Sequence, residues 1–161
     1  MRRGFTLIEV LIVIVILGII MAVGSVQFRE FERRQAVVAA KRQVLADVRA
    51  AQADAASGRK PAGCTGTLMG YGFEVTGTAS PASYRTFARC SQGVGTADYN
   101  TKTTELTERI TITLPAVNPV IFKPIAEGTN LAASSSVIIN ISSLGTATTE
   151  SLEIRASGEI R

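Results

Sequence analysis

A carboxylate inside an apolar segment constrains this chain more than any other feature. The N-terminus reads Met1-Arg2-Arg3-Gly4-Phe5-Thr6-Leu7-Ile8-Glu9-Val10, and from Val10 to Val26 the run is broken only by Gly18, Gly24 and Ser25. From Phe5 to Val26 there are about 22 residues, which as a helix would span about 33 Å against a bilayer core of about 30 Å. The basic pair Arg2-Arg3 ahead of the run suits a cytoplasmic N-terminus.

Three readings fit such a segment. It can be a secretory signal peptide with Ala22-Val23-Gly24 as its small-residue cleavage site. It can be a plain signal anchor. It can also be a leader cut before the apolar run rather than after it. Glu9 separates them, because an acid deep in an apolar segment costs about 2.5–3.5 kcal/mol on insertion scales and needs a partner. Cleavage between Gly4 and Phe5 creates that partner, a new α-amino group within reach of Glu9. The two charges would neutralise each other in a low-dielectric setting, within one helix or between staggered neighbours.

The stretch Gly4-Phe5-Thr6-Leu7-Ile8-Glu9-Val10 resembles the processing and methylation signature of type IV pilins and type II secretion pseudopilins. The resemblance covers about the first 26 residues. It implies a prepilin peptidase that cuts after Gly4 and methylates Phe5, and an assembly role for Glu9 in docking one subunit into a filament. The implied partners are that peptidase, other pilin or pseudopilin subunits, an inner-membrane assembly platform and, before assembly, membrane lipid. The implied location is the bacterial inner membrane, single-pass with the N-terminus cytoplasmic, and afterwards a periplasmic or extracellular filament. Many major pilins break the anchoring helix with a proline, whereas here the first is Pro61. That departure points to a pseudopilin or minor subunit.

Beyond Val26 the sequence stays helical in character but becomes amphipathic. Residues 27–57 are rich in Ala, Arg, Gln and Val, without proline. Phe31, Val38 and Leu45 recur at heptad spacing, and Val44, Val48, Ala51 and Ala55 follow one helix face. Glu30 can pair with Arg33 or Arg34, and Ser57-Gly58 before Lys60-Pro61 is a stop signal. One helix from Phe5 to about Ser57 would be about 80 Å long.

From Gly63 onward the helical period gives way to alternation. Tyr71, Phe73 and Val75 alternate with Gly72 and Glu74. Leu106, Glu108, Ile110, Ile112 and Leu114 alternate with Thr107, Arg109, Thr111 and Thr113. Val137, Ile139 and Ile141 form a further set, as do Leu152 and Ile154. These read as half-buried strands, with Ser157-Gly158 linking to a short last strand that ends at Arg161. The expected fold is α+β: a long N-terminal helix, transmembrane then amphipathic, packed on a C-terminal antiparallel β-sheet domain. The expected divisions are a leader at 1–4, a membrane or filament-core helix at 5–26, its amphipathic continuation at 27–58 and a β-rich domain at 59–161. The pattern of Val120-Ile121-Phe122, Gly128, the strand Val137–Ile141 and the closing Ile154, Gly158 and Ile160 is similar to H-type minor pseudopilins and their pilus relatives.

Cys64 and Cys90 are the only thiols, and an even count in an exported chain suggests one disulfide. A loop of that size gains about 3–4 kcal/mol from closure in the chain-entropy model; two buried free thiols are the alternative. No His is present, so the commonest general base and metal ligand is missing, and two cysteines leave too few soft ligands for a metal. No metal, cofactor or catalytic residue is expected, and the chain reads as non-enzymatic. The glycines at 63, 66, 70 and 72 lack the Gly-Lys-Ser/Thr of a phosphate loop. Glu105 and Glu108 fall on opposite faces of the expected strand, Ser134-Ser135-Ser136 has no base to activate it, and Asn140-Ile141-Ser142 is a short glycan-acceptor pattern.

With 46% hydrophobic and 19% charged residues the composition is not that of a disordered chain. The net charge of +4 invites a nucleic-acid reading, but Arg2 and Arg3 supply half of it. Two alternatives to a filament subunit therefore stand. One is a DNA-binding minor pilin of a DNA-uptake pilus using Lys123, Arg155 and Arg161. The other is an ordinary secreted β-domain with a cleavable signal peptide.

Overall fold

The computed structural model describes residues 6–145 and 147–161, apart from the side chains of residues 23–27. A single helix α1 (Leu7–Ala56, 50 residues) leads into seven strands: β1 (Leu68–Gly77), β2 (Ser83–Gln92), β3 (Gly95–Glu105), β4 (Ile110–Ile112), β5 (Val120–Phe122), β6 (Ser136–Ser143) and β7 (Thr149–Arg155). A short 3-10 turn, Pro124–Ala126, follows β5. This is the α+β arrangement of a long N-terminal helix against antiparallel sheet.

The helix runs without interruption because no proline falls in it and its second half is rich in Ala, Arg and Gln, all strong helix formers. It stops where Ser57 and Gly58 donate their amides to Ala53 O and Ala55 O, both at 2.9 Å. Gly58 takes φ +63, the left-handed conformation in which glycine closes a helix without a Cβ clash.

The strands form two antiparallel sheets, ordered β3-β2-β1-β5 and β4-β6-β7. Both pack against α1. The helix buries Val37, Ala40, Val44, Val48, Ala51 and Ala55, a spacing of threes and fours that keeps one stripe on the sheets. Facing it are Phe73, Tyr84, Val120 and Phe122 from the first sheet and Ile110, Ile139, Ile141, Leu152 and Ile154 from the second. Each fully buried Val, Leu, Ile or Phe contributes about 1.5–3 kcal/mol, so this shared core holds helix and sheets as one body. The small residues Ala40, Ala51 and Ala55 let the sheets approach the helix closely.

Several expectations are corrected. The heptad row is not the buried one: Phe31 is exposed, while Val38 and Leu45 only flank the stripe. The strand expected across 106–114 shrinks to β4, because Arg109 turns the chain at φ +71 and leaves Glu108 in a turn. Glu105 ends β3, so the two acids belong to different elements rather than to opposite faces of one strand. The last strand is a single bridge between Ile154 and Ile160, closed by reciprocal Glu153–Arg161 backbone bonds of 3.0 Å.

Candidate functional site

The N-terminal half of α1 is set by its first turn. Thr6 is extended, and its carbonyl accepts from the amides of Glu9 at 3.1 Å and Val10 at 3.3 Å. Glu9 lies in that first turn, where the helix dipole favours a negative charge. Its carboxylate is exposed and has no hydrogen-bond or ion-pair partner among the described residues. Gly4 and Phe5, the expected processing and methylation residues, lie outside the described residues.

The apolar side chains from Leu7 to Met21 are all exposed, Leu7 at 84% and Met21 at 73%. A contiguous apolar surface of this kind on a water-facing element marks an interaction surface. Among the described residues no helix is long and apolar enough to cross a membrane. The apolar stretch with described side chains ends at Ala22, where residues 23–27 begin.

Cys64 and Cys90 are joined, with sulfurs 2.04 Å and Cα atoms 6.0 Å apart. The bond fastens the loop that follows α1 to the end of β2. The phenol of Tyr71 on β1 donates to Arg59 O at 2.7 Å and holds the start of the same loop. The loop is thus tied at both ends to the first sheet.

The basic residues singled out for nucleic acid do not form a free patch. Arg155 pairs with Glu153 and Glu159, both at 3.3 Å, and Arg161 pairs with Glu159 at 2.7 Å. Lys123 borders a separate groove with Arg49 and Gln52. Ser134, Ser135 and Ser136 line a polar groove beside Glu153 and Arg155. There the Ser136 hydroxyl, and then Arg155, hold the Glu153 carboxyl below its ordinary range. Among the described residues no three of His, Cys, Asp and Glu gather as metal ligands.

Two constellations escaped the sequence. On the outer face of the first sheet, Arg85 and Arg89 each stack over the Phe87 ring at 4.8 Å, and pair with Glu74 at 2.6 Å and Asp98 at 2.8 Å respectively. The Asp98 carboxylate, more than any other group, raises Arg89 above its ordinary pKa. The alternation Arg85-Thr86-Phe87-Ala88-Arg89 was the available signal, but the acids come from neighbouring strands. At the other end of the domain Arg29, Arg33 and Arg109 surround one groove. Nothing in the sequence connects Arg109 to the helix.

In comparison with known proteins, residues 1–25 match the family described as the prokaryotic N-terminal methylation motif. The match ends well before the strands on which the likeness to H-type pseudopilins rests. Neither a curated protein nor a solved structure gives a significant match. Gly4, Phe5 and Glu9 all fall inside the matched segment, and the chain carries at its N-terminus the prepilin-type methylation motif of type IV pilins and pseudopilins.

Proposed function

We propose that the chain is a structural, non-enzymatic subunit, a minor pilin or pseudopilin, of a type IV pilus or type II secretion filament. The observation that carries this reading is the methylation motif over residues 1–25, joined to a helix whose apolar half stands clear of its own domain. Prepilin peptidase cuts after Gly4 and methylates Phe5. Residues 5–26 anchor the precursor in the inner membrane and later pack in the filament core. Residues 27–58 continue the helix over the domain formed by 59–161. Glu9 neutralises the new amino terminus of a neighbouring subunit as it docks. The minor assignment is supported by the lack of proline before Pro61.

A domain that has completed its core on one half of a helix has no use for the other half in water. The exposed apolar surface from Leu7 to Met21 needs lipid or other helices. Lipid before assembly and sister helices afterwards meet that need in turn.

The test is N-terminal mass spectrometry on the mature protein from its native membrane. A start at N-methylated Phe5 is expected. A start at Ser25 would mark a signal-peptidase product and end the filament reading, Glu9 included.

A further inference from the structure

We propose that the groove between α1 and the turns before β4 and after β6 binds the phosphodiester headgroup of an anionic lipid while the chain is still membrane-anchored. This deepens the proposed function and rests on its membrane-anchored stage.

The groove, about 540 Å³, is bordered by Arg29 and Arg33 on α1 and by Arg109 on the facing turn. Arg29 and Arg33 are four residues apart on α1 and so lie on one face of the helix. Arg33 Nη1 donates to Gly145 O at 3.2 Å, which holds that side chain against the turn after β6. Arg109 is held by its backbone on both sides. Its amide donates to Ser80 Oγ at 2.6 Å and its carbonyl accepts from Leu144 N at 2.8 Å. The residue takes φ +71, a left-handed conformation that is uncommon for a non-glycine residue and is held here by those bonds. Neither Arg29 nor Arg109 has an ion-pair partner among the described residues, so neither guanidinium group is tied to a carboxylate.

Position along the helix identifies the occupant. If the apolar run ends at Val26, Arg29 stands about 5 Å and Arg33 about 10 Å beyond it. A headgroup layer occupies roughly 5–8 Å on each side of the hydrocarbon core. Arg29 therefore stands at the depth of the lipid phosphates, with Arg33 just beyond that layer. Leu144, next in sequence to the Ser143 that borders the groove, is exposed and apolar. Arginine is suited to this ligand, because its planar fork matches two phosphate oxygens at once.

Charge fixes the valence. Glu32 and Glu108 also border the groove, so its lining holds three guanidinium groups and two carboxylates. The net single positive charge matches a phosphodiester monoanion. A polyanion such as DNA would meet both carboxylates as well.

The test uses the full processed chain in nanodiscs of phosphatidylcholine alone and of phosphatidylcholine mixed with phosphatidylglycerol. Native mass spectrometry reads which lipid stays bound. Preferential retention of phosphatidylglycerol is expected, reduced about fivefold by Arg29→Gln and again by Arg109→Gln, corresponding to about 1 kcal/mol per arginine near an anionic surface. Glu108→Gln should strengthen retention. Arg29 is exposed on the helix and Arg29→Gln leaves the fold intact, so its effect does not depend on how Arg109→Gln folds. Equal retention of both lipids by the native chain overturns the proposal while leaving membrane anchoring standing. Failure of the chain to embed in either disc overturns both. Displacement of phosphatidylglycerol by millimolar inorganic phosphate would reassign the groove to free phosphate and overturn the lipid assignment.

Discussion

The phenol of Tyr84 on β2 donates to Asp47 Oδ2 on α1 at 2.7 Å. The second oxygen of the same carboxylate accepts from Lys102 Nζ at 2.9 Å. Tyr84 is fully buried and its ring lies 5.2 Å from that of Phe73, tilted at 36°. Asp47 thus ties the helix to two strands of the first sheet at once, from the edge of the core.

Tyr84→Phe removes the hydrogen bond and leaves the ring in place. A hydrogen bond to a charged group contributes about 1.5–3 kcal/mol, and a loss in that range is expected in urea unfolding with an unchanged m-value. Lys102→Met should cost far less, because the lysine is largely exposed and exposed pairs contribute about 0.2–1 kcal/mol. Equal losses from the two variants would place the stabilisation in the ion pair rather than in the buried phenol.

The same contact predicts a pH dependence. Burial, and then Asp47, raise the Tyr84 pKa well above its ordinary value. A group whose pKa is higher folded than unfolded keeps its protonated form preferentially in the folded state, so the stability it lends is complete below the unfolded value of about 10 and falls as pH rises past it. Stability of the native chain should decline above about pH 10. In Tyr84→Phe that decline should be shallower, read as the difference between the two unfolding curves.

The Cys64–Cys90 bond closes a sequence separation of 26 residues. In the chain-entropy model such a closure contributes about 3–4 kcal/mol. Reduction, or the double change Cys64→Ala with Cys90→Ala, should lower stability by about that amount. Buried as they are, the two alanines should leave the strand register unchanged. A denaturant midpoint that does not move on reduction would mean the loop after α1 is held by its hydrogen bonds, Tyr71 to Arg59 and Ser91 to Thr67 among them.

The helix stripe Val44, Val48, Ala51 and Ala55 was legible because a helix against a core writes its period into the chain. Val137, Ile139 and Ile141 were legible for the same reason at period two. By contrast β3 left no signal. It is the edge of its sheet and both its faces reach solvent, so Gly95–Glu105 carries mostly polar residues. The strand expected across 106–114 failed at Arg109, whose left-handed backbone depends on Ser80 and Leu144, distant in sequence. The methylation segment could be read because its residues are contiguous. The arginine groove could not, because its third arginine arrives only through the packing of β4 and β6 against α1.

Gly72 supplies a further test of the outer face of the first sheet. A Cβ at this position would lie 2.4 Å from the Phe87 ring, so Gly72→Ala must push the ring out from beneath Arg85 and Arg89. Overpacking of this kind costs about 1–3 kcal/mol. The double variant Gly72→Ala with Phe87→Ala should cost less than the sum of the two single changes, since the second removes the clash created by the first. Additive losses would mean the strain lies in the β1 backbone instead.

In the proposed filament, Glu9 is the residue on which assembly turns. Its carboxylate is exposed in the first turn of α1, among side chains that are mostly apolar, without a partner among the described residues. In an apolar environment that isolation costs about 2.5–3.5 kcal/mol, and the amino terminus of a neighbouring subunit would remove the cost. Glu9→Val abolishes the penalty and the pairing together, so the variant should enter the membrane at least as well as the native chain yet be missing from sheared filaments. Glu9→Gln, which keeps size and loses charge, should fail in the same way if charge neutralisation is the requirement. Incorporation of Glu9→Gln with exclusion of Glu9→Val would instead assign docking to a hydrogen bond, and normal incorporation of both would remove Glu9 from assembly altogether. Immunoblots of membrane and sheared fractions from the same cells separate these outcomes.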